Sequence, residues 1–442
     1  MASTYLTRTP STAGNRRTGT FSAWVKRGSL GTLNSLLDCY TSFELTWFNI
    51  RFSATDQIQA IAYDATSGFQ EQFELRPTRL FRDTSAWYHI VFSWDSTQAT
   101  ASDRVKFYVN GVRETSFSSA SYPALDEDFY INYNSIPYWI GRGGWNSNYF
   151  NGSMSYVAFV DGTAELPTIF GETDSVTGQW KIKTDITPSV AWGTNGFLIL
   201  KNGNSLTDES SNSNNWTLGA GTLTKTEDCP DNVFAVYNQL LNIPSSELSN
   251  GATTIFNASS ASTRPILSSL GASSGKFYAE FKTVTASSAS RVGICDMDKY
   301  VLTEFTGVNA LSYGYLAGGT VANNNSTTIS GLSSYTSGDI IGVYIDLDNN
   351  FLYFAKNGVL QNSGVPTSGA TGTGGQAITA NNTYGFHVTV GSSSKKTTAN
   401  FGNGYFGTTA VSSAGTNASG IGIFEYDVPT GYTALSTKGL NL

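Results

Sequence analysis

The sequence predicts an all-β protein made of two antiparallel β-sandwich domains that are joined by a structured connector. Short alternating or aromatic-rich runs, such as residues 21–25 and 87–94, recur between clusters of Gly, Asn, Asp and Ser. Apolar residues at the three- and four-residue spacing of a helix are nearly absent. The chain has 442 residues, which exceeds the roughly 250–300 residues at which one core stops growing. Two sandwiches are therefore expected.

A change of composition sets the expected boundaries. Residues 201–215 are polar and turn-forming, and the surrounding segment also contains Trp180, Trp192 and Trp216. A flexible tether would not carry large aromatic side chains, so this part of the chain is expected to be packed. We predict a first sandwich over residues 1–165, a structured connector over 166–230 and a second sandwich over 231–442.

Individual strands and turns can be predicted from alternation and from turn residues. In Ile61-Ala62-Tyr63 the two large side chains are expected on one face of a strand and Ala62 on the other. Two aromatic strands run into Asn-Gly, at Asn110-Gly111 and at Asn357-Gly358. This dipeptide is typical of a two-residue type I′ hairpin turn, in which both residues have positive φ.

Charge and cysteine content exclude several classes of protein. The net charge is −7 and no run of Lys or Arg is longer than a pair, so nucleic-acid binding is not expected. No apolar stretch is long enough to span a membrane, and the start lacks the pattern of a secretory signal. The cysteines are isolated, which predicts neither a disulfide framework nor a Cys-x-x-Cys metal site. We expect maturation in a reducing cytoplasm and no membrane insertion.

The first domain resembles the concanavalin A-like, laminin-G-type jelly-roll domain over residues 1–165. The resemblance rests on four segments that occur in the expected order: Trp87 to Asp95, Val105 to Gly111, Trp139 to Arg142 and Tyr149 to Met154.

The second domain resembles a SPRY domain over roughly residues 230–442. The supporting segments are 274–281, 291–294, 338–346, the Asn357-Gly358 turn and 399–402. The succession from Gly-Asp-x-Ile-Gly-Val through Asp to Asn-Gly is the most specific part of this resemblance.

The pairing of the two domains resembles virion proteins of tailed bacteriophages. The supporting features are a start that runs from Tyr5 to Thr18, an Asn-rich connector that ends in Trp216, and the segment 228–232. Fold alone does not determine function, so the functional implication of this resemblance is an expectation.

Catalysis is not expected from the sequence. A glycosidase needs two carboxylates at a defined separation, and the Glu-x-Asp-x-x-Glu pattern of glucanases is missing. In the acidic run Asp126-Glu127-Asp128, adjacent side chains would point to opposite faces of a strand, so a solvated loop is the expected structure. His89 and His387 lie in aromatic strands, where we expect hydrogen-bonded structural rings.

No metal site can be assigned from the sequence. Residues 346–350 resemble the opening of an EF-hand loop, but Phe351 and Asn357 replace the Gly and Glu that the loop requires. Some laminin-G-type domains bind Ca²⁺ at a loop rim, so a loop-bound Ca²⁺ is compatible with the resemblance but has no ligand set. No other cofactor is predicted.

Surface recognition is the chemistry that the sequence favours. Lectin sites pair an aromatic platform with Asn, Asp or backbone groups, because sugars present apolar faces and rings of hydroxyls. The candidate residues in the first domain are Trp145, Asn146, Asn148, Tyr149 and Tyr133. Further candidates in the second domain are Tyr300, Tyr313 and Tyr335, at loops or strand ends. The alternative is that these aromatic residues belong to the core or to a subunit interface.

The predicted function is that of a non-enzymatic virion protein, a tail fibre or appendage that binds host-surface carbohydrate or envelope during adsorption. Other virion proteins and further copies of the same chain are the expected partners. The alternatives are a purely structural capsid-decoration or tail-assembly protein and, less favoured, a polysaccharide depolymerase. The chain shows no long heptad segment or collagen-like tract, which weakens the tail-fibre version.

Overall fold

A computed structural model describes residues 4–41, 46–64, 70–144, 147–241, 248–258 and 262–441. The chain forms two compact units, Met1–Lys225 and Thr226–Leu442. The described residues form β-strands and short 3-10 helices, with no α-helix among them. The predicted all-β fold class is confirmed.

The strands of the first unit are β1 (Tyr5–Arg8), β2 (Thr18–Arg27), β3 (Asn34–Thr41), β4 (Thr46–Phe52), β5 (Ile58–Asp64), β6 (Gln70–Pro77), β7 (Trp87–Asp95), β8 (Val105–Val109), β9 (Val112–Arg113), β10 (Phe117–Ser121), β11 (Tyr138–Ile140), β12 (Gly152–Asp161), β13 (Gly171–Thr173), β14 (Trp180–Ile182), β15 (Phe197–Ile199) and β16 (Thr217–Ala220). Its 3-10 helices are Ala101–Asp103, Pro167–Ile169 and Thr187–Ser189.

Two antiparallel sheets form the first sandwich. The eight-stranded sheet has the order β10-β6-β5-β4-β3-β11-β1-β16, and the six-stranded sheet has the order β15-β12-β2-β7-β8-β9. Both sheets contribute to one apolar core, for example through Phe48 and Ile50 of β4 and through Phe92 of β7. Because side chains alternate along a strand, each sheet also has an outer face that points away from this core.

Most of the predicted connector, residues 166–225, belongs to the first unit, and residues 226–230 belong to the second. Strand β15 pairs with β12 and strand β16 pairs with β1, so each sheet gains an edge strand from it. Phe170, Ile186 and Trp192 pack on the outer face of the six-stranded sheet, against Val91 and Leu198. The predicted boundaries at residues 165 and 230 are therefore replaced by one division after Lys225, because burial of these side chains joins the segment to the first sandwich.

A buried carboxylate holds this arrangement together. Asp161 is 5% exposed, and its Oδ1 accepts hydrogen bonds from Asn15 N and Asn132 Nδ2, both at 2.8 Å. Its Oδ2 accepts hydrogen bonds from Thr194 N at 3.1 Å and Asn195 N at 2.9 Å. One side chain thereby ties β12 to the N-terminal segment, to the loop after β10 and to the segment before β15.

The strands of the second unit are β17 (Leu248–Ser249), β18 (Thr254–Asn257), β19 (Arg264–Leu267), β20 (Lys276–Thr285), β21 (Arg291–Asp296), β22 (Ser312–Leu316), β23 (Thr320–Asn323), β24 (Ser326–Ile329), β25 (Ile340–Asp346), β26 (Phe351–Lys356), β27 (Val359–Leu360), β28 (Gln376–Ala377), β29 (Tyr384–Val390), β30 (Lys395–Asn400), β31 (Tyr405–Phe406), β32 (Thr409–Ala410) and β33 (Thr433–Ala434). Its 3-10 helices are Gly369–Thr371 and Gly439–Asn441.

The second sandwich also has two main sheets. One has the path β17-β18-β30-β20-β25-β26-β27, with β28 beside β26 and β33 parallel to β20. The other has the order β19-β29-β21-β22-β23-β24. Their inner faces meet in one core that includes Phe281 of β20, Ile341 of β25 and Phe386 of β29.

Chain segments cover both outer faces of the second sandwich. Phe424 and Tyr432 pack on Tyr278 and Tyr344 of the nine-stranded sheet. Glu280 fixes this covering segment, because its carboxylate accepts hydrogen bonds from the backbone N–H groups of Glu425 and Tyr426, both at 2.9 Å. On the other sheet, Thr306 N donates to Thr389 Oγ1 at 2.8 Å, and the Tyr300 ring packs edge-on against His387.

The two Asn-Gly turns have the predicted geometry. Asn110 and Gly111 have φ values of 47° and 80°, and Asn357 and Gly358 have φ values of 48° and 79°. Both asparagines also accept a backbone N–H with Oδ1, from His89 and from Ile340, at 2.8 Å. The same side-chain bond therefore locks the turn in each sandwich.

Within the described residues, no helix has the length and apolar character that crossing a bilayer requires.

Replacing Asp161 with Asn should destabilise the first unit by about 2–4 kcal/mol, because an amide N–H₂ would then face backbone N–H donors in a buried site. All nine Trp residues precede Lys225, so tryptophan fluorescence during chemical denaturation reports the unfolding of this unit alone. The control is Asp185→Asn at an exposed position, which should change the free energy of unfolding by less than about 0.5 kcal/mol. Equal effects of the two variants would contradict the assigned role of Asp161.

Candidate functional site

The outer face of the eight-stranded sheet combines aromatic and polar side chains. It is defined here by Asp38 of β3, Trp47 and Arg51 of β4, Tyr63 of β5 and Trp139 of β11. Trp47, Arg51, Tyr63 and Trp139 are partly exposed, whereas Asp38 is buried at 2% exposure. We call this surface the outer face.

Strand alternation explains why these residues share one face. In β4, Phe48, Ile50 and Phe52 enter the core, so Trp47 and Arg51 project from the opposite side. The antiparallel register aligns Trp47 with Tyr63 across β4 and β5, and their ring centroids are 5.5 Å apart. The prediction for Ile61-Ala62-Tyr63 is confirmed, because Ala62 lies in the core and Tyr63 lies on the outer face.

Gly144 and Asn148, on either side of residues 145–146, lie next to β3 of this sheet. A Cβ atom on Gly144 would come within 2.5 Å of the Tyr40 side chain, so only glycine allows the backbone to pass this close to β3. Ser35 N donates a hydrogen bond to Asn148 O at 2.9 Å, which fastens the far side of the loop to the same strand. The described residues of the predicted loop are therefore adjacent to the outer face.

The sequence-predicted residues of the loop have different outcomes. Trp145 and Asn146 lie outside the described residues. Asn148 is partly exposed and has a positive φ of 54°. Tyr149 is partly exposed, and its ring centroid lies 6.3 Å from that of Tyr5, which is on β1.

Arg142 joins the loop to the aromatic residues of the outer face. Its guanidinium carbon lies 4.3 Å from the Tyr5 ring centroid and 4.7 Å from the Trp139 ring centroid. These cation–π contacts hold both rings in place, because the arginine is only 7% exposed.

Asp38 lies on the outer face next to the backbone of Gly144. Burial raises its pKa to about 7, and the hydrogen bonds from Asn49 and from the backbone N–H of Gly144 oppose this rise. Asn49 Nδ2 donates to Asp38 Oδ2 at 2.6 Å and also reaches Ser35 Oγ at 3.2 Å. The site therefore contains a carboxyl group whose charge changes near neutral pH.

A second polar network runs from β4 to the sheet edge at β10. Arg51 Nε donates to Gln59 Oε1 at 2.8 Å, and Gln59 in turn donates to Glu74. Glu74 also accepts a hydrogen bond from Ser119 Oγ at 2.6 Å and forms an ion pair with Arg76 at 3.4 Å. Burial lowers the pKa of Arg51, while the nearby carboxylates of Asp38 and Glu74 raise it.

Tyr133 belongs to a separate aromatic patch. It is 40% exposed, and its ring stacks on Tyr130 with centroids 5.5 Å apart. The Arg16 guanidinium carbon lies 4.9 Å from the Tyr133 ring centroid. Tyr133 is thus a rigid surface aromatic residue, as a binding role requires.

The three tyrosine candidates of the second unit do not form a surface. Tyr313 and Tyr335 are 3% and 2% exposed, so their assignment to loops or strand ends that could bind a ligand is corrected. Tyr335 OH donates to Ser290 O at 2.9 Å, and Tyr313 OH accepts from Thr379 N at 3.1 Å. Tyr300 is partly exposed, but its hydroxyl donates to Pro265 O at 3.1 Å. Interior hydrogen bonds explain why these hydroxyls can be buried.

Both histidines occupy buried hydrogen-bonding positions on strands. Trp180 Nε1 donates to His89 Nδ1 at 3.0 Å, so His89 Nε2 carries the proton that is shared with Ser22 Oγ at 2.9 Å. Burial lowers the pKa of His89 and of His387 to about 3, which keeps both rings neutral. His387 Nδ1 lies 3.4 Å from Ser312 Oγ.

The acidic segments that were considered for chemistry have protein partners. Arg17 pairs with Asp126 at 3.3 Å and with Asp128 at 2.9 Å on the surface. Asp346 forms an ion pair with Lys276 at 2.9 Å. It also accepts a hydrogen bond from the backbone N–H of Asn349 at 3.0 Å, as is typical of a turn. Among the described residues, no group of three or more His, Cys, Asp or Glu side chains is placed to hold a metal ion.

Sequence reasoning missed Asp38, Trp47 and Arg51 of the outer face, and also Asn49, which donates a hydrogen bond to Asp38. A signal was present in Thr46-Trp47-Phe48-Asn49-Ile50-Arg51-Phe52, where three core residues alternate with an aromatic, an amide and a cation. Read with period two, this strand has one apolar face and one face suited to hydrogen bonding and stacking.

Comparison with known protein families identifies both domain types. Residues 2–170 match the concanavalin A-like lectin/glucanases superfamily, as a laminin-G-type domain, and residues 276–403 match the SPRY domain. The chain therefore contains a concanavalin A-like domain and a SPRY domain, and the corresponding sequence-based predictions are confirmed. No curated protein matches the chain.

Solved structures of SPRY domains resemble part of the chain. The SPRY domain of human HERC1 is 20% identical, and the match covers 33% of this chain and 87% of that chain with a TM-score of 0.27. Another human SPRY domain is 20% identical, with 33% and 90% covered and a TM-score of 0.26. Similarities at this level carry no argument about function.

Asp38 should make the stability of the first unit depend on pH. Its folded pKa of about 7 lies above the usual value of 3.8, so between these values the folded state holds a proton that the unfolded state has lost. Stability from this group is therefore present at low pH and is lost as the pH rises toward 7.

The test compares the wild-type chain with Asp38→Asn by tryptophan-detected denaturation. Between about pH 4 and about pH 8 the free energy of unfolding of the variant should rise by about 4 kcal/mol relative to that of the wild type, because a shift of one pKa unit corresponds to about 1.4 kcal/mol. A difference between the two proteins that stays constant across this range would show that Asp38 is ionised in the folded state throughout.

Proposed function

We propose that the chain is a non-enzymatic virion protein of a tailed bacteriophage and that it binds host-surface carbohydrate during adsorption, as part of a tail fibre or another appendage. The phage assignment rests on the sequence resemblance of the paired domains and of the Asn-rich segment between them. Other virion proteins and further copies of the chain are its proposed partners, and the virion is its proposed location.

The carbohydrate assignment rests chiefly on one observation, the chemistry of the outer face. The other three outer sheet faces of the two sandwiches are packed beneath chain segments, at Phe170 and Trp192, at Phe424 and Tyr432, and at Tyr300 and Thr306. The face of the eight-stranded sheet instead presents partly exposed Trp47, Tyr63 and Trp139 beside polar groups. Aromatic rings next to fixed hydrogen-bonding groups are what sugar recognition requires.

The depolymerase alternative needs two carboxyl groups close to one sugar bond. Asp38 has the raised pKa of a general acid. The cross-strand pairing from β3 to β6 aligns Asp38 with Glu74, which also lies on this face of the sheet. The register places these residues three strand spacings apart, or about 14 Å, whereas glycosidases use separations of about 5–9.5 Å. Glu74 is also engaged by Arg76 and Ser119, so this pair supports binding rather than hydrolysis.

Trp47→Ala tests the carbohydrate proposal directly. Loss of one stacking ring should weaken binding of host-surface glycans by about tenfold or more. Purified protein, multimerised to provide avidity, would be applied to host cells and to a glycan array. The matched control is Phe256→Ala, which removes a 37% exposed aromatic side chain from the second unit and should leave binding unchanged.

Several results would count against the proposal. If the multimerised wild-type protein binds neither host cells nor their glycans, a structural role in the particle is favoured instead. Equal binding by Trp47→Ala and wild type would remove the outer face from recognition. Release of reducing sugar from a host polysaccharide would favour the depolymerase alternative.

A further inference from the structure

We propose that the outer face recognises an acidic glycan, with the Arg51 guanidinium binding the carboxylate of a sugar acid and Trp47 packing against the sugar ring. This inference deepens the proposed function and rests on it. It assigns a ligand class, a sugar that carries a carboxylate, and a specificity-determining residue, Arg51.

The first argument is the hydrogen bonding of Arg51. In the described part of the chain, its hydrogen bonding is limited to the Nε–H group, which donates to Gln59 Oε1 at 2.8 Å. The two terminal nitrogens have no protein acceptor among the described residues, and no ion pair within that part of the chain involves this side chain. A half-buried guanidinium that keeps two parallel donors available matches the planar geometry of a carboxylate.

The second argument is the fixed position of the guanidinium. Its central carbon lies 5.5 Å from the Trp47 ring centroid, and Gln59 holds Nε from the neighbouring strand. Arg51 and Gln59 are directly opposed in the register of β4 and β5. Side-chain entropy is therefore already reduced before a ligand binds, which favours a bidentate contact.

The third argument is that the nearby carboxylates are used by other donors. Glu74 accepts hydrogen bonds from Gln59 and Ser119 and pairs with Arg76. Asp38 accepts hydrogen bonds from Asn49 and from the Gly144 backbone. Burial lowers the pKa of Arg51 and the nearby carboxylates of Asp38 and Glu74 oppose this shift, while neither carboxylate forms an ion pair with Arg51 within the described part of the chain.

The fourth argument is the proximity of an aromatic surface to this cation. Trp47 and Tyr63 form a T-shaped pair that is partly exposed, so a sugar ring on Trp47 would lie beside the guanidinium. A neutral sugar would use only the aromatic contact. A sugar acid would add a charge-assisted pair of hydrogen bonds, which is roughly twice as strong as a neutral pair.

The experiment measures binding of the full chain to three acidic probes, oligogalacturonate, hyaluronan oligosaccharide and oligosialic acid, and to the carboxyl-reduced form of each. At least one acidic probe should bind about tenfold more tightly than its reduced form. Arg51→Gln should abolish this preference and leave binding of the reduced probe unchanged. Arg51→Lys keeps the charge but lacks the planar pair of donors, so it should retain only part of the preference.

The matched control is Arg113→Gln. Arg113 is an exposed residue of β9 in the six-stranded sheet and forms an ion pair with Asp103, so its loss should not alter the preference for acidic over carboxyl-reduced probes. Denaturation midpoints of all variants would be compared by tryptophan fluorescence, so that a folding defect is recognised separately. Equal affinity for acidic and carboxyl-reduced probes, or preference for a sulfated glycan without carboxylates, would overturn the acidic-sugar inference while the proposed carbohydrate function stands. Absence of binding to any glycan would contradict both.

Discussion

The alternation of side chains along each β-strand is the constraint on which this structure depends. It gives every sheet one face for the core and one face that must be covered or exposed. In β2, Phe21, Ala23 and Val25 fill the core while Ser22 and Trp24 meet His89 on the other side. A protein of paired sandwiches therefore has four outer faces, and what lies on each face decides which surfaces remain available for binding.

Covering an outer face requires that the backbone of the covering segment find hydrogen-bond partners. Both units solve this with a buried carboxylate on a central strand. Asp161 accepts two backbone N–H groups from the segment before β15, and Glu280 accepts two from the segment that precedes β33. A buried carboxylate without hydrogen-bond donors destabilises the folded state. Asp161 and Glu280 therefore depend on the covering segments, which supply the backbone N–H groups that they accept.

The sequence predicted the elements of the fold better than their assembly. Alternation and the two Asn-Gly turns were sufficient for the all-β class and for individual hairpins, because these signals are local. The tryptophans of residues 166–225 indicated that this segment is packed, but its membership of the first unit depends on tertiary contacts of Phe170 and Trp192, which no local pattern reveals. Among the candidate binding residues, Asn148 and Tyr149 were predicted from the composition of their loop and are partly exposed, whereas Tyr313 and Tyr335 are core residues whose hydroxyls form internal hydrogen bonds. Arg51 and Trp47 were missed because their importance depends on which face of the sheet stays exposed.

The central claim is that the outer face of the eight-stranded sheet is the ligand-binding surface of the chain. The most direct measurement is a crystal structure of the full chain with a bound host glycan. We expect a sugar ring on Trp47, with Arg51 and Tyr63 in contact with it. A glycan bound on the second unit, or an outer face buried against another copy of the chain, would contradict the claim.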